Sequence, residues 1–105
     1  NRAFQRARDE RKLVFIDFYT TWCGWCKKLD RDTLQDPEVM EFLRRNFVCV
    51  KIDGDRAPAL VQKYGVRGFP FLLFTDHAGN TRMSQPGYVN KQNFLEIARA
   101  VLQRN

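Results

Sequence analysis

The amino-acid sequence predicts an α/β fold with a mixed central sheet of about four strands, flanked by helices on both faces. The length of 105 residues suits one domain. Hydrophobic residues make up 44% of the chain and charged residues 29%, which is typical of a globular protein. Short apolar runs of strand length alternate with segments of helical periodicity. We therefore interpret residues 1–105 as a single domain.

Two strands are predicted in the first half of the chain. Leu13–Tyr19 is a nearly continuous run of apolar, aromatic and β-branched residues, which indicates a central strand buried on both faces. Residues 47–52 form the second strand. Helical patterns cover residues 1–12, residues 23–32 and a segment from Pro37 to about residue 46. Because helices connect the two strands, we expect them to be parallel, with a right-handed crossover.

The second half of the chain adds two helices and a hairpin. Pro58–Tyr64 is a helix with proline in its first turn, and Gly65 is its left-handed stop. Phe71–Thr75 and residues 81–85 are strands joined by an Ala-Gly-Asn turn, so they pair antiparallel. Asn90 caps the last helix.

The net charge of +6 results from 18 basic and 12 acidic residues, and five of the basic ones lie in the first twelve positions. Such a charge attracts nucleic acid, anionic membranes or acidic proteins. No motif that reads nucleic acid accompanies it, so we interpret these residues as a solvated helix face. No apolar run approaches the roughly 18–20 residues that span a bilayer. We expect no nucleic-acid partner, no membrane span in this segment, and a monomer.

The chemistry of the sequence is concentrated where the first strand gives way to a helix. The two-residue spacing between Cys23 and Cys26 puts both sulfur atoms on one side of a helix, within disulfide range. Cys23 falls at the helix N-terminus, where free backbone N–H groups and the helix dipole stabilise a thiolate. We expect Cys23 to be the nucleophile, and Cys26, one turn inside and less accessible, to be the resolving thiol.

The two thiols indicate a thiol–disulfide exchange reaction. Cys23 forms a mixed disulfide with a sulfur of the partner, and Cys26 then attacks Cys23 and releases the reduced partner. Cys26 must lose its proton for that step. Asp17, six residues before Cys23 on the buried strand, is expected beneath the helix. A carboxyl group in apolar surroundings has a raised pKa and accepts a proton. The alternative is that Asp17 is a satisfied buried polar group. Lys27 adds positive charge near the helix start.

Together these motifs resemble the thioredoxin family. The matching segments are DFYTTWCGWCK at the strand–helix junction, KYGVRGFP before the third strand, and Gly87 before the last helix, and they span nearly the whole chain. The resemblance implies a thioredoxin fold and a protein-disulfide oxidoreductase whose redox group is its own Cys23–Cys26 disulfide, without a further cofactor or metal. It also implies a cis peptide bond before Pro70, which exposes the Phe69 backbone to an extended substrate segment.

Aromatic residues are expected around the cysteines. Trp22 and Trp25 flank the reactive helix end, so we expect both to be at least partly exposed. An exposed apolar patch there binds extended protein segments, or selects partners narrowly by shape. The predicted substrate-binding residues are Trp22, Gly24, Trp25, Phe69, Pro70, Gly87 and Tyr88.

The sequence departs from the thioredoxin pattern in several places, one of which is that the first strand usual in thioredoxin is absent or lies upstream. Trp25 occupies the position of a proline between the cysteines, which leaves the roles of reductant, oxidant and isomerase open. The segment DTLQDPEV is more similar to bacterial disulfide-interchange domains. Thioredoxin pairs its buried Asp with a Lys at the position that is Cys49 here, and we hypothesise that Lys51 takes its place beside Asp17.

Cys49 is expected to be a buried structural thiol. His77, some 20 Å from the cysteines along a strand, is not expected to act on them. Zinc requires about four ligands, but copper(I) accepts two thiolates. The alternative function is therefore a non-catalytic dithiol module that carries copper(I) or binds a partner protein. The start at Asn1 without Met predicts a piece of a longer precursor, and the resemblance favours the periplasm or cell envelope over the cytoplasm.

Overall fold

Residues 2–104, which a computed structural model of the protein describes, form five α-helices and four strands. In chain order they are α1 (Arg2–Glu10), β1 (Leu13–Tyr19), α2 (Gly24–Leu29), α3 (Pro37–Asn46), β2 (Phe47–Asp53), α4 (Pro58–Tyr64), β3 (Phe71–Thr75), β4 (Thr81–Pro86) and α5 (Lys91–Gln103). A π-helical turn, Asp30–Leu34, follows α2, and a 3-10 turn, Gly54–Arg56, follows β2. These two turns were not predicted, whereas every predicted helix and strand is present.

The four strands form one mixed sheet in the order β2-β1-β3-β4. β1 and β2 are parallel, and Asp17 lies directly opposite Lys51 in their register. β3 runs antiparallel to both β1 and β4. The predicted pairings are confirmed, and so is the central position of β1. The amino end of α2 therefore follows directly from the carboxyl end of a central, buried strand.

Alternate side chains of β1 build the two halves of the core, because successive residues of a strand point to opposite faces. Leu13 and Phe15 belong to a cluster with residues of α3 and α5. Val14, Ile16 and Phe18 belong to a second cluster, with residues of α1 and α4. Helices thus cover both faces of the sheet, as predicted. No helix within residues 2–104 has the length and apolar composition needed to cross a bilayer.

Local sequence signals fix the helix ends. The Asp36 carboxylate caps α3 by accepting the N–H of Glu38 at 2.9 Å. The Asn90 side chain likewise caps α5 by accepting the N–H of Asn93 at 2.9 Å. α4 stops at Gly65, whose φ of 69° is left-handed and favours glycine.

Two positions with apolar patterning are exposed rather than buried. Met40, which the helical periodicity puts beside Val39 and Leu43, is 54% exposed. The residue Cys49 is exposed as well, so the predicted burial of this residue is wrong, although its thiol is partly desolvated in a groove. The reason is that β2 lies at the edge of the sheet, with a neighbouring strand on one side only, and burial along it falls off after Val48.

Candidate active site at the amino end of α2

Cys23 and Cys26 are joined by a disulfide, with their Cα atoms 5.3 Å apart. Cys23 is the N-cap of α2, and its sulfur accepts the backbone N–H of Cys26 at 3.0 Å. This is the position at which a helix stabilises an anion. In the disulfide form the residues are 5% and 4% exposed, so exposure does not separate them. What separates them is position, since Cys23 caps the helix and Cys26 lies within it.

Asp17 is a buried carboxyl group on the face of β1 that also carries Phe15. The residue is 5% exposed, and its Oδ1 atom accepts no hydrogen bond from residues 2–104. The pKa of Asp17 is raised to about 6, chiefly by burial and in smaller part by the negative charge of Asp30, while the positive charge of Lys51 acts in the opposite direction. A carboxyl group with a pKa this close to neutrality can both accept and release a proton.

An ion pair accompanies Asp17 at the edge of the sheet. Lys51 lies opposite Asp17 in the register of β1 and β2, and its Nζ contacts Oδ2 of Asp30 at 2.7 Å. The charge of Lys51 thus acts on Asp17, but the direct contact of its ammonium is with Asp30, not with Asp17 as hypothesised. Asp30 is a residue that the sequence analysis missed. It lies four positions after Cys26, on the same side of a regular helix, but the π-helical turn it begins was not evident from the sequence.

Trp22 is the exposed side chain immediately before the disulfide, with 68% of its surface exposed. Its indole N–H donates to Oδ2 of Asp55 at 2.8 Å, and its ring meets that of Phe69 edge to face, with centroids 6.4 Å apart. The Phe69 ring in turn packs on Gly54, where a Cβ atom would overlap it. Trp22 is therefore exposed yet held on one side, and Asp55 is another residue that the sequence analysis missed.

The peptide bond between Phe69 and Pro70 is cis, as the family resemblance implies. The Pro70 carbonyl accepts the N–H of Gly87 at 2.8 Å, which joins the loop before β3 to the loop after β4. Phe69, Pro70 and Gly87 line one cleft together with neighbouring residues of both loops. Three of the predicted substrate-binding residues therefore lie together.

Trp25 and Tyr88 form the other aromatic pair of the site, with ring centroids 5.6 Å apart. Trp25 is 59% exposed, whereas Tyr88 is half-buried. The Tyr88 hydroxyl donates to Oδ2 of Asp32 at 3.0 Å, and Nζ of Lys28 contacts the same oxygen at 2.8 Å. Gly24, the first residue of α2, is exposed with open space above it. The predicted partial exposure of both tryptophans is confirmed.

His77 lies away from this constellation. It shares a cleft with Leu13, at the opposite end of β1 from the cysteines. Among residues 2–104, no three His, Cys, Asp or Glu side chains are grouped so that they could share a metal ion. Cys49 lines a separate groove, which has Phe15, Phe47 and Asp17 among its other lining residues.

Comparison with known proteins relates this site to several disulfide-exchanging proteins. The chain is 41% identical over 69 residues to protein disulfide isomerase-like 5-3 of rice, covering 66% of this chain and 16% of that protein. It is 34% identical over 96 residues to the thiol:disulfide interchange protein DsbD of Vibrio vulnificus, covering 86% of this chain and 16% of that protein. The chain thus spans about a sixth of each of these curated relatives.

The solved structure of the oxidised C-terminal domain of Neisseria meningitidis DsbD matches the fold with a TM-score of 0.77 and 26% identity, covering 94% of this chain and 89% of that one. Residues 1–102 match the family model described as a thioredoxin-like domain. The thioredoxin fold implied by the motifs is thereby confirmed, and the chain belongs to the thioredoxin-like family.

Proposed function

We propose that this domain is a thiol–disulfide oxidoreductase that exchanges the Cys23–Cys26 pair with disulfides of protein substrates. The observation that carries the proposal is the location of a disulfide at the amino end of α2, with one sulfur as its N-cap. A helix N-terminus favours the thiolate form of a cysteine, which is the reactive species in exchange. The resemblance to a disulfide isomerase-like protein and to DsbD supports the same class of reaction.

The exchange proceeds in two displacements. In the reduced domain, the Cys23 thiolate attacks one sulfur of a substrate disulfide, and the other substrate sulfur leaves as a thiolate that takes up a proton. Cys26 gives its proton to the Asp17 carboxylate and attacks the sulfur of Cys23. The mixed disulfide breaks, the second substrate sulfur leaves, and the Cys23–Cys26 disulfide forms. Two electrons have then passed to the substrate, and the reverse sequence oxidises a dithiol.

Asp17 suits the role of proton acceptor because burial raises its pKa to about 6 and its Oδ1 atom accepts no hydrogen bond from residues 2–104. The exposed rings of Trp22 and Trp25 give an extended substrate segment an apolar surface on which to lie. The backbone of Phe69, next to the cis bond, is available to pair with that segment as an added strand.

The direction of electron flow depends on the reduction potential of the pair relative to that of its partner. Equilibration of the Cys23–Cys26 pair with glutathione redox buffers measures this potential. The monomeric state and the cell-envelope location stay predictions from the sequence.

Trapping of the mixed disulfide tests the proposal. The reduced Cys26→Ser variant is expected to form a stable adduct with a cystine peptide, because nothing resolves the bond at Cys23. The Cys23→Ser variant is expected to form none. Mass spectrometry locates the adduct, and Cys49→Ser in both backgrounds is the control for the third thiol. Wild-type protein that neither reduces insulin disulfides in a turbidity assay nor yields an adduct at Cys23 would contradict the proposal.

A further inference from the structure

Two exposed indoles stand beside the disulfide, and each is anchored to a carboxylate. Trp22 bonds Asp55 directly through its indole N–H. Trp25 reaches a carboxylate indirectly, because its ring packs on Tyr88 and the Tyr88 hydroxyl donates to Asp32. Exposed aromatic side chains without anchors would have to be ordered when a substrate binds. These two are held in place beforehand, which reduces the entropic cost of binding.

Asp32 is the centre of the second anchor. One of its oxygens accepts the Tyr88 hydroxyl and contacts Nζ of Lys28, and the other contacts Nε of Arg31 at 3.3 Å. The same Lys28 ammonium lies 5.4 Å from the centroid of the Tyr88 ring. The Tyr88 ring is thus fixed both at its hydroxyl and at its face, and it offers Trp25 a rigid surface.

The anchor also connects separate parts of the site. Asp32 belongs to the π-helical turn, and Trp25 and Lys28 belong to α2. Tyr88 follows Gly87, whose N–H bonds the carbonyl of Pro70. The indole of Trp25 is therefore fixed relative to the cis-proline loop against which a substrate segment is expected to lie.

We propose that Tyr88 and Asp32 are positioning residues that hold Trp25 as a preformed aromatic wall, and that this wall selects substrate disulfides flanked by an aromatic side chain. The inference rests on the proposed function and adds the substrate class. An exposed indole binds an aromatic side chain more tightly than other side chains of similar size, because an aromatic pair contributes about 0.5–1.5 kcal/mol beyond its buried area. That gain corresponds to a preference of roughly 2- to 13-fold over an aliphatic neighbour of similar size.

Two cystine peptides that differ only in having Phe or Leu beside the cystine test the inference. The ratio of their kcat/KM values with the wild-type protein is expected to be about 2 to 13 in favour of Phe, carried by KM. Trp25→Ala should bring the ratio close to one. Tyr88→Phe keeps the ring but removes the hydroxyl, and Asp32→Ala removes the acceptor, so both should lower the ratio by about half or more.

Controls separate positioning from a general loss of structure. Asp32→Asn keeps an oxygen that accepts the Tyr88 hydroxyl, and it should retain more of the preference than Asp32→Ala. Tyr64→Phe removes a comparable hydrogen bond, from Tyr64 to the carbonyl of Gly79 at 3.0 Å, and should leave the ratio unchanged. The chain contains two tryptophans, so in a Trp22→Phe background the fluorescence anisotropy of Trp25 should fall on Tyr88→Phe.

The results distinguish failure of the inference from failure of the proposed function. Equal kcat/KM for the two peptides with the wild-type protein would overturn the aromatic preference while leaving disulfide exchange intact. A preference that Tyr88→Phe and Asp32→Ala both leave unchanged would overturn the positioning role. Wild-type protein that reduces neither peptide would overturn the exchange activity and, with it, the inference.

Discussion

Cys23 and Cys49 lie in two regions that differ both in the exposure of the residue and in the chemical environment of its thiol. The less exposed of the two cysteines has the environment that favours the thiolate. Cys23 is nearly buried in its disulfide, but it caps α2 and accepts a backbone N–H. Cys49 is an exposed residue on the edge strand β2, but its thiol lies in a groove lined by Phe15 and Phe47. Burial of this thiol raises its pKa to about 11, although the charges of Arg6 and Lys12 lower it.

The contrast teaches that exposure of a residue is a poor guide to the reactivity of its thiol. Exchange requires a thiolate, and backbone N–H groups at a helix end stabilise it while an apolar groove does not. Asp17 connects the two regions, since it precedes the α2 site on β1 and also lines the groove of Cys49. Substitutions at Asp17 and its neighbours therefore probe the comparison directly.

Replacement of Asp17 by Asn should have the largest effect, on stability. The folded state holds the Asp17 proton up to a pH of about 6, whereas the unfolded chain releases it near 3.8. The wild-type protein should therefore lose about 3 kcal/mol of unfolding free energy as the pH rises from 3 to 8, and Asp17→Asn should not. Urea denaturation of the two oxidised proteins across this range measures the difference.

The difference between the two curves isolates Asp17, because other carboxyl groups contribute equally to both. Asp36 and Asp76, for example, are affected most by desolvation, which raises the pKa. Their pKa values are nevertheless lowered, because the several hydrogen bonds that each carboxylate accepts and the nearby positive charge together outweigh it. Parallel curves for wild type and Asp17→Asn would show that Asp17 is not a strained carboxylate at neutral pH.

The same substitution should slow the release of substrate from the mixed disulfide by about 100-fold at pH 7, the lower end of what general-base catalysis contributes. Attack by Cys23 should be affected less, because that sulfur is already favoured as a thiolate by the helix end. Rapid-quench measurement of the mixed disulfide separates the two steps. Slowing of both steps to the same extent would place Asp17 outside the role of acceptor for Cys26.

The two thiol environments should differ in alkylation rate. A pKa of about 11 leaves Cys49 with roughly 300-fold less thiolate at pH 7 than free cysteine, and its greater intrinsic nucleophilicity offsets part of this. Cys49 should therefore react with iodoacetamide roughly 20-fold more slowly than free cysteine, and Cys23 of the reduced protein should react first. Peptide mapping over a time course gives both rates. Faster labelling at Cys49 than at Cys23 would reverse the comparison on which these expectations rest.

How far the sequence predicts this arrangement depends on the range of the interactions. The strand Leu13–Tyr19, the α2 start at Cys23 and the stop at Gly65 follow from neighbouring residues, and the structure has them where predicted. The exposure of Cys49 was missed because the apolar run around it resembles a central strand. Whether such a strand lies at an edge is decided by the order of the whole sheet.

The anchors of the site were missed for a related reason. Asp30 and Asp32 belong to the π-helical turn that follows Leu29, and from there Asp30 reaches Lys51 and Asp32 reaches Tyr88. An extra residue in one helical turn cannot be recognised from the hydrophobic periodicity of this segment, because Asp is compatible with both an α-helical and a π-helical turn. The i, i+4 spacing of Lys28 and Asp32 would have suggested their ion pair, but not the contact with Tyr88.

The smallest predicted effect concerns the ion pair beside Asp17, and its two halves should act in opposite directions. The charge of Asp30 raises the pKa of Asp17 and that of Lys51 lowers it. Asp30→Asn should therefore move the pH at which wild-type stability falls to lower values, and Lys51→Met should move it to higher values. Both shifts should be smaller than the effect of burial, which is the largest cause. Infrared titration of the Asp17 carboxyl band in each oxidised variant measures them, with Asp17→Asn identifying the band. If both substitutions shifted the pKa of Asp17 in the same direction, they would be acting through the solvation of the groove. The charges of Asp30 and Lys51 would then not control the proton on Asp17.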